Sequence, residues 1–216
     1  EIVQGKKPQL SPLEIQYKDY SHWQQELLES DKGKALQNYW KSQFTGEIPV
    51  LQLPYDRPRP SVKTFNGNDV SSLITEKIST QLNAFAQQEG VSLFMLTTAI
   101  VNTLLHRYSA QNDIVIGTPI AGRDHSDLEG LVGCFVNTLA IRTQIDPESS
   151  FKNYLKQVKT TTLQAFENQH YPFDKLVDEV VNNRDMSRSP LFDVLVVMEN
   201  NEETTAELAD LVLSTM

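Results

Sequence analysis

The chain has very little of several residue types, and each shortage removes a class of function. There is one cysteine, Cys134, in 216 residues, which excludes an intrachain disulfide framework and any zinc site built on several thiolates. Opening an apolar run, Cys134 is expected to be a buried, inert thiol. Positive charge is also in short supply. Nineteen Lys and Arg face 28 Asp and Glu, for a net charge of −9, so neither a nucleic-acid partner nor an anionic membrane is expected. The most apolar stretch, 93–105, is too short to cross a bilayer and carries three threonines and an asparagine. A cytoplasmic, reducing compartment fits the cysteine usage and the absence of a leader-like start. Four histidines, His22, His106, His125 and His170, include no adjacent pair and no HExxH, which excludes a recognisable metal site. No GxSxG elbow, Walker loop or GxGxxG is present either.

What remains is a globular α/β pattern. Residues 1–12 read as a linker or arm. Tyr20, Trp23, Leu27 and Leu28, then Ala35, Leu36, Tyr39 and Trp40, recur at helical spacing over 19–44, with a break at Asp31 to Gly33. Three prolines within 54–60 impose an extended connector. A short β-prone run over 68–74 precedes a helix over 76–88. Ser92 caps a helix over 93–108 that is apolar nearly all round and therefore expected to lie sandwiched, under a sheet. Strands are expected over 113–117 and 134–143, with a glycine-rich loop between them. Helices follow Ser149 and Ser150 and then Pro172, and 191–198 reads as a strand too apolar to be an edge. After an acidic tail, 211–213 begins another strand-like run. Helices alternating with buried strands define an α/β layered architecture, a mixed sheet with helices packed on it. Tyr20, Trp23, Phe173 and Phe192 are expected in the core, and Arg184 and Arg188 are expected to tie their loop to Asp185 or Asp193.

Four segments carry a further signal. Tyr17, Asp19, Tyr20 and Trp23 fit YxDYxxW, and Val132 through Thr138, running on to Arg142, fit (V/I)GxFVNTxxxR. Residues 168–174, NQHYPFD, are similar to (H/N)QDxPFE but depart from it at His170 and Asp174. Residues 184–191, RDMSRSPL, match RDxSRNPL apart from Ser189. Together, and in this order, they resemble the condensation domains of nonribosomal peptide synthetases. So does the connector 53–60, LPYDRPRP.

The resemblance implies a chloramphenicol acetyltransferase-like fold, with residues 1–216 as the C-terminal of two lobes. Residues 1–12 are then an arm, and 199–216 a truncated crossover segment. It implies a domain that joins a donor acyl or peptidyl thioester to an acceptor aminoacyl thioester, both held on the phosphopantetheine arms of carrier proteins. The implied partners are an N-terminal half bearing the catalytic HHxxxDG motif, upstream and downstream peptidyl carrier proteins, and an adjacent adenylation domain. The chain contains no His-His, so these residues alone are expected to be inactive, with no catalytic residue, cofactor or metal of their own. Supporting roles fall to Arg123, placed to pair with the Asp of HHxxxDG, and to Asn137. The Asn137 amide either faces the tunnel and binds a substrate or pantetheine amide, or bridges backbone across the sheet. The alternatives are an epimerization-domain relative, disfavoured by the FVNT sequence, and a non-catalytic carrier-docking module of the same fold.

Overall fold

The computed structural model describes residues 5, 7 and 12–199. The strand-like run at 211–213, the rest of the crossover segment beyond residue 199 and most of the arm lie outside the described residues. Among the described residues, six α-helices pack around one antiparallel pair of strands: α1 (Tyr17–Glu29), α2 (Asp31–Gln43), α3 (Glu76–Glu89), α4 (Leu93–Ser109), β1 (Asp113–Ile120), β2 (Asn137–Gln144), α5 (Phe151–Glu167) and α6 (Phe173–Val180).

The helix starts follow local chemistry. The hydroxyls of Ser92 and Ser150 accept from the amides of Met95 and Asn153, each satisfying a donor that the first helical turn leaves without a partner. The break in the first helical region falls at Ser30, one residue before the expected Asp31 to Gly33. Ser30 ends α1 and caps α2 by accepting from Gly33 N, so the three expected breakers form the first turn of α2.

β1 and β2 pair from Asp113 with Gln144 to Ile120 with Asn137. Successive residues of β2 face opposite layers. Thr143 meets Asn102 of α4 and Tyr154 of α5, whereas Arg142 reaches the C-terminal end of α2. The Arg142 guanidinium lies 2.7 Å from Asp113 and donates to the carbonyls of Gln43, Thr45 and Glu47. One charged group thereby satisfies carbonyls just past a helix end and fixes the connector to the sheet. Ile114, Ile116, Leu139 and Ile141 form the centre of the main core, with Trp40 and Leu176. A second cluster joins α3, α4 and α5 through Ala86, Leu96, Ala99, Leu155 and Val158.

Several expectations need correction. β2 begins at Asn137, so Cys134 to Val136 lie outside it and Cys134 is exposed. β1 runs past Gly117 to Ile120. Helix α4 is buried on one side only, and Ile100, Leu104 and Tyr108 are exposed. The run over 68–74 forms no strand, and all of 61–78 is exposed, with Phe65 at 97%. A strand without a partner has nothing to satisfy its backbone. Residues 191–198 make one parallel bridge, Leu195 to Gly117, and leave Leu195 and Val197 exposed. Among the described residues this segment therefore lies at the sheet edge.

Candidate functional site

A cavity of about 260 Å³ opens where α1, the start of β2 and the turn between α5 and α6 meet. Its wall includes Tyr20, Gly122, Phe135, Asn137, His170 and Phe173. Tyr20 is presented by α1, where it is buried against Leu128, Leu131 and Phe135. Tyr17, one turn earlier, donates its hydroxyl to the Cys134 carbonyl at 2.9 Å and meets the Phe135 ring edge-on at 5.2 Å. Gly133 lies directly beneath Tyr17, and a Cβ there would stand 2.3 Å from the ring.

Asn137 is the polar anchor. Its Nδ2 donates to the carbonyls of Gln169 and Tyr171, each at 2.8 Å, and its Oδ1 accepts from Phe173 N at 3.0 Å. One side chain thus supplies the hydrogen bonds that would otherwise be missing from the 169–173 turn, and it orients the entry to α6. The backbone that Asn137 bonds belongs to the turn and not to a neighbouring strand across the sheet, and Asn137 also lines the cavity.

Arg123 lies in the 121–136 loop with its guanidinium 4.2 Å over the Phe135 ring, and it donates to the Leu128 carbonyl. Among the described residues it makes no ion pair with Asp124 or Asp127. Cation–π packing against an aromatic that lines the cavity holds it there. Gly122, at φ +66°, lets the loop pass so close to Phe135 that a Cβ would stand 1.9 Å from the Phe135 carbonyl oxygen. The neighbouring Asp124 places Oδ2 3.0 Å from His170 Nε2.

Trp23 is 42% exposed, contrary to its expected place in the core. It packs against Tyr20 at 5.6 Å and against the edge of His170 at 5.5 Å, at the rim of the cavity. Phe173 and Phe192 are half-buried and in contact at 5.6 Å. Arg188 approaches Asp185 and Asp193, as expected, while Arg184 pairs with Asp178 of α6. Sequence reasoning missed Arg142 as the organiser of the α2 end, and His170 as a partner of Asp124. The one available signal was the departure of His170 from its motif.

Burial pushes the Tyr171 phenol up to about 12, and its hydrogen bond to Glu179 acts in the same direction. Burial also raises Tyr20, with the nearby Asp124 carboxylate adding to it. Among the described residues no cluster of three or more metal-ligating side chains occurs, and no helix is long and apolar enough to cross a membrane.

An α/β lobe whose motif residues gather on one cavity is the architecture of a condensation domain, and the condensation-domain family model matches residues 1–216. The chain belongs to that family. It is 46% identical over 208 residues to bacitracin synthase 3 of Bacillus licheniformis, covering 96% of this chain and 3% of that protein. It is 45% identical over 206 residues to tyrocidine synthase 3 of Brevibacillus parabrevis, covering 95% and 3%. The chain thus spans only a small part of the curated relatives it matches. Among solved structures, the X-domain from teicoplanin biosynthesis superposes with a TM-score of 0.80 at 26% identity, over 89% of this chain and 44% of that one. A holo four-domain nonribosomal peptide synthetase bound to AMP and glycine gives 0.76 at 31%, over 80% and 13%. The fold is the chloramphenicol acetyltransferase-like lobe that the sequence motifs imply.

Proposed function

We propose that this chain is the C-terminal lobe of a peptide-bond-forming condensation domain and supplies one wall of its reaction tunnel. The observation that carries the reading is convergence. Three of the four motif segments, which together span residues 17–174, place residues on one cavity: Tyr20 from the first, 134–138 from the second, and 169, 170 and 172–174 from the third. In the reaction, the acceptor amine attacks the donor thioester carbonyl, a C–N bond forms, the C–S bond breaks, and a proton passes from the amine to the departing thiolate. The group that handles that proton must sit within hydrogen-bond reach, and in this reading the opposite lobe provides it. Asn137 lines the wall, Arg123 packs behind it on the Phe135 ring, and this reading assigns Arg123 the supply of positive charge toward the opposite lobe. Carrier proteins deliver the substrates on phosphopantetheine, in the cytoplasm. Residues 1–12 serve as an arm, and 199–216 lead into the crossover between lobes.

The test is an obstruction. Val136 is exposed and lines the cavity, so Val136→Trp should leave folding and carrier loading intact. In the full-length protein it should lower peptide-bond formation between carrier-bound substrates by at least about tenfold, through displaced substrate. An undiminished rate would overturn the reading. A second reading, a docking module of the same fold, is favoured by one observation. The teicoplanin X-domain, solved in complex with OxyB, gives a TM-score of 0.80 at 26% identity. Wild-type protein that binds a partner but forms no peptide bond would select it.

A further inference from the structure

We propose that the close contact between Asp124 and His170 positions the 121–136 loop, and Arg123 with it, at the cavity; what that positioning serves rests on the function proposed above. The two residues close a ring of contacts. Trp23 meets His170 at 5.5 Å, His170 meets Asp124 at 3.0 Å, and Arg123, next in the chain, covers Phe135 at 4.2 Å. Phe135 returns to Tyr20 at 4.6 Å, and Tyr20 to Trp23 at 5.6 Å. Two sides of this ring are rigid for independent reasons. The aromatics belong to helix α1, and His170 sits between Gln169 and Tyr171, whose carbonyls are both held by Asn137.

The 121–136 loop, by contrast, has one short 3-10 turn, Ser126–Leu128, and no strand pairing. The Asp124–His170 contact, at 3.0 Å, ties it to the turn. His170 keeps 20% of its side-chain surface and Asp124 44%, so the pair is screened only in part. Asp174 and Tyr20 line the same cavity. An acid at position 170, as in the motif this segment otherwise resembles, would set two carboxylates against each other. The pairing is therefore a property of this chain's own residues at 124 and 170.

The test compares His170→Asp, His170→Asn and the reciprocal exchange His170→Asp with Asp124→His, in the full-length protein. Amide hydrogen exchange across 121–136 reads the loop, and amides of α4 and α5 serve as the control. His170→Asp should speed exchange in the loop about tenfold, and His170→Asn about threefold, with the helices unmoved. The reciprocal exchange should bring the loop back to within about threefold of wild type. Peptide-bond formation should fall and recover in step. Unchanged loop exchange in His170→Asp, or no recovery in the reciprocal variant, overturns the pair. Loosening with an unaltered rate overturns its positioning role. If wild-type protein forms no peptide bond while the loop still loosens and recovers, the pair stands and the proposed function fails.

Discussion

Two asparagines sit in two different interiors, and the contrast between them shows how this fold uses buried polarity. Asn102, at 0% exposure in the α4–β2–α5 interior, donates to the Thr143 hydroxyl at 3.1 Å, while its Oδ1 has no partner among the described residues. Thr98 of α4 and Thr162 of α5, equally buried, also have hydroxyls without partners among the described residues. Asn137, at the corner between β2 and the 169–173 turn, is less buried yet makes three bonds, all to backbone. The first amide serves one side-chain hydroxyl. The second is the scaffold of a turn. Burial alone is therefore a poor guide to importance here, and the number of backbone groups a side chain serves is a better one.

The largest expected effect breaks the corner. Asn137→Leu removes partners from two carbonyls and one amide, and at about 1 kcal/mol for each lost bond it should cost about 3 kcal/mol in urea unfolding. The 169–173 turn should lose protection before the rest of the chain. A cost below about 1 kcal/mol would mean that water or another side chain replaces the amide.

A smaller effect comes from pH. The folded state holds Tyr171 up to about 12, against about 10 for the unfolded chain. The neutral phenol is thus favoured by folding, and its contribution is complete below pH 10 and is lost as pH rises through about 12. That loss should reach about 2 kcal/mol at pH 12. Urea midpoints measured from pH 9 to 12 should fall steeply for wild type and less steeply for Tyr171→Phe; parallel slopes would remove Tyr171 as the cause.

The smallest effect belongs to the interior. Asn102→Leu replaces a half-satisfied amide with an apolar group of similar size, and Thr143 keeps its contact with the Tyr154 hydroxyl at 3.0 Å. Stability should change by less than about 1 kcal/mol in either direction. A loss as large as that of Asn137→Leu would erase the distinction between the two regions.

Helix existence was legible in the sequence because apolar spacing and serine caps act locally, as Ser92 and Ser150 show. Strand ends and edges were not legible, because they depend on partners distant in the chain. Val70 and Leu73 have strand-forming character and are exposed at 96% and 94%, since nothing among the described residues pairs with them. The apolar run over 191–198 looked central for the same reason: composition records hydrophobicity but not neighbours. In the candidate site, the motif residues could be found as sequence, and Asn137 stood out there as an amide within an apolar run. The Asp124–His170 contact spans 46 residues and joins two loops, so no periodicity announces it. Trp23 shows the opposite failure, an aromatic at core spacing that the fold spends at a rim.

The exposed thiol of Cys134, lining the cavity, has a practical consequence. Because residues 1–216 carry one cysteine, a maleimide fluorophore or a nitroxide would attach at a single address within them. That address is fixed locally by the Tyr17 hydroxyl on its own carbonyl. A label there would report, by quenching or by line shape, whatever enters the space between α1 and the turn, giving a direct optical or magnetic view of occupancy.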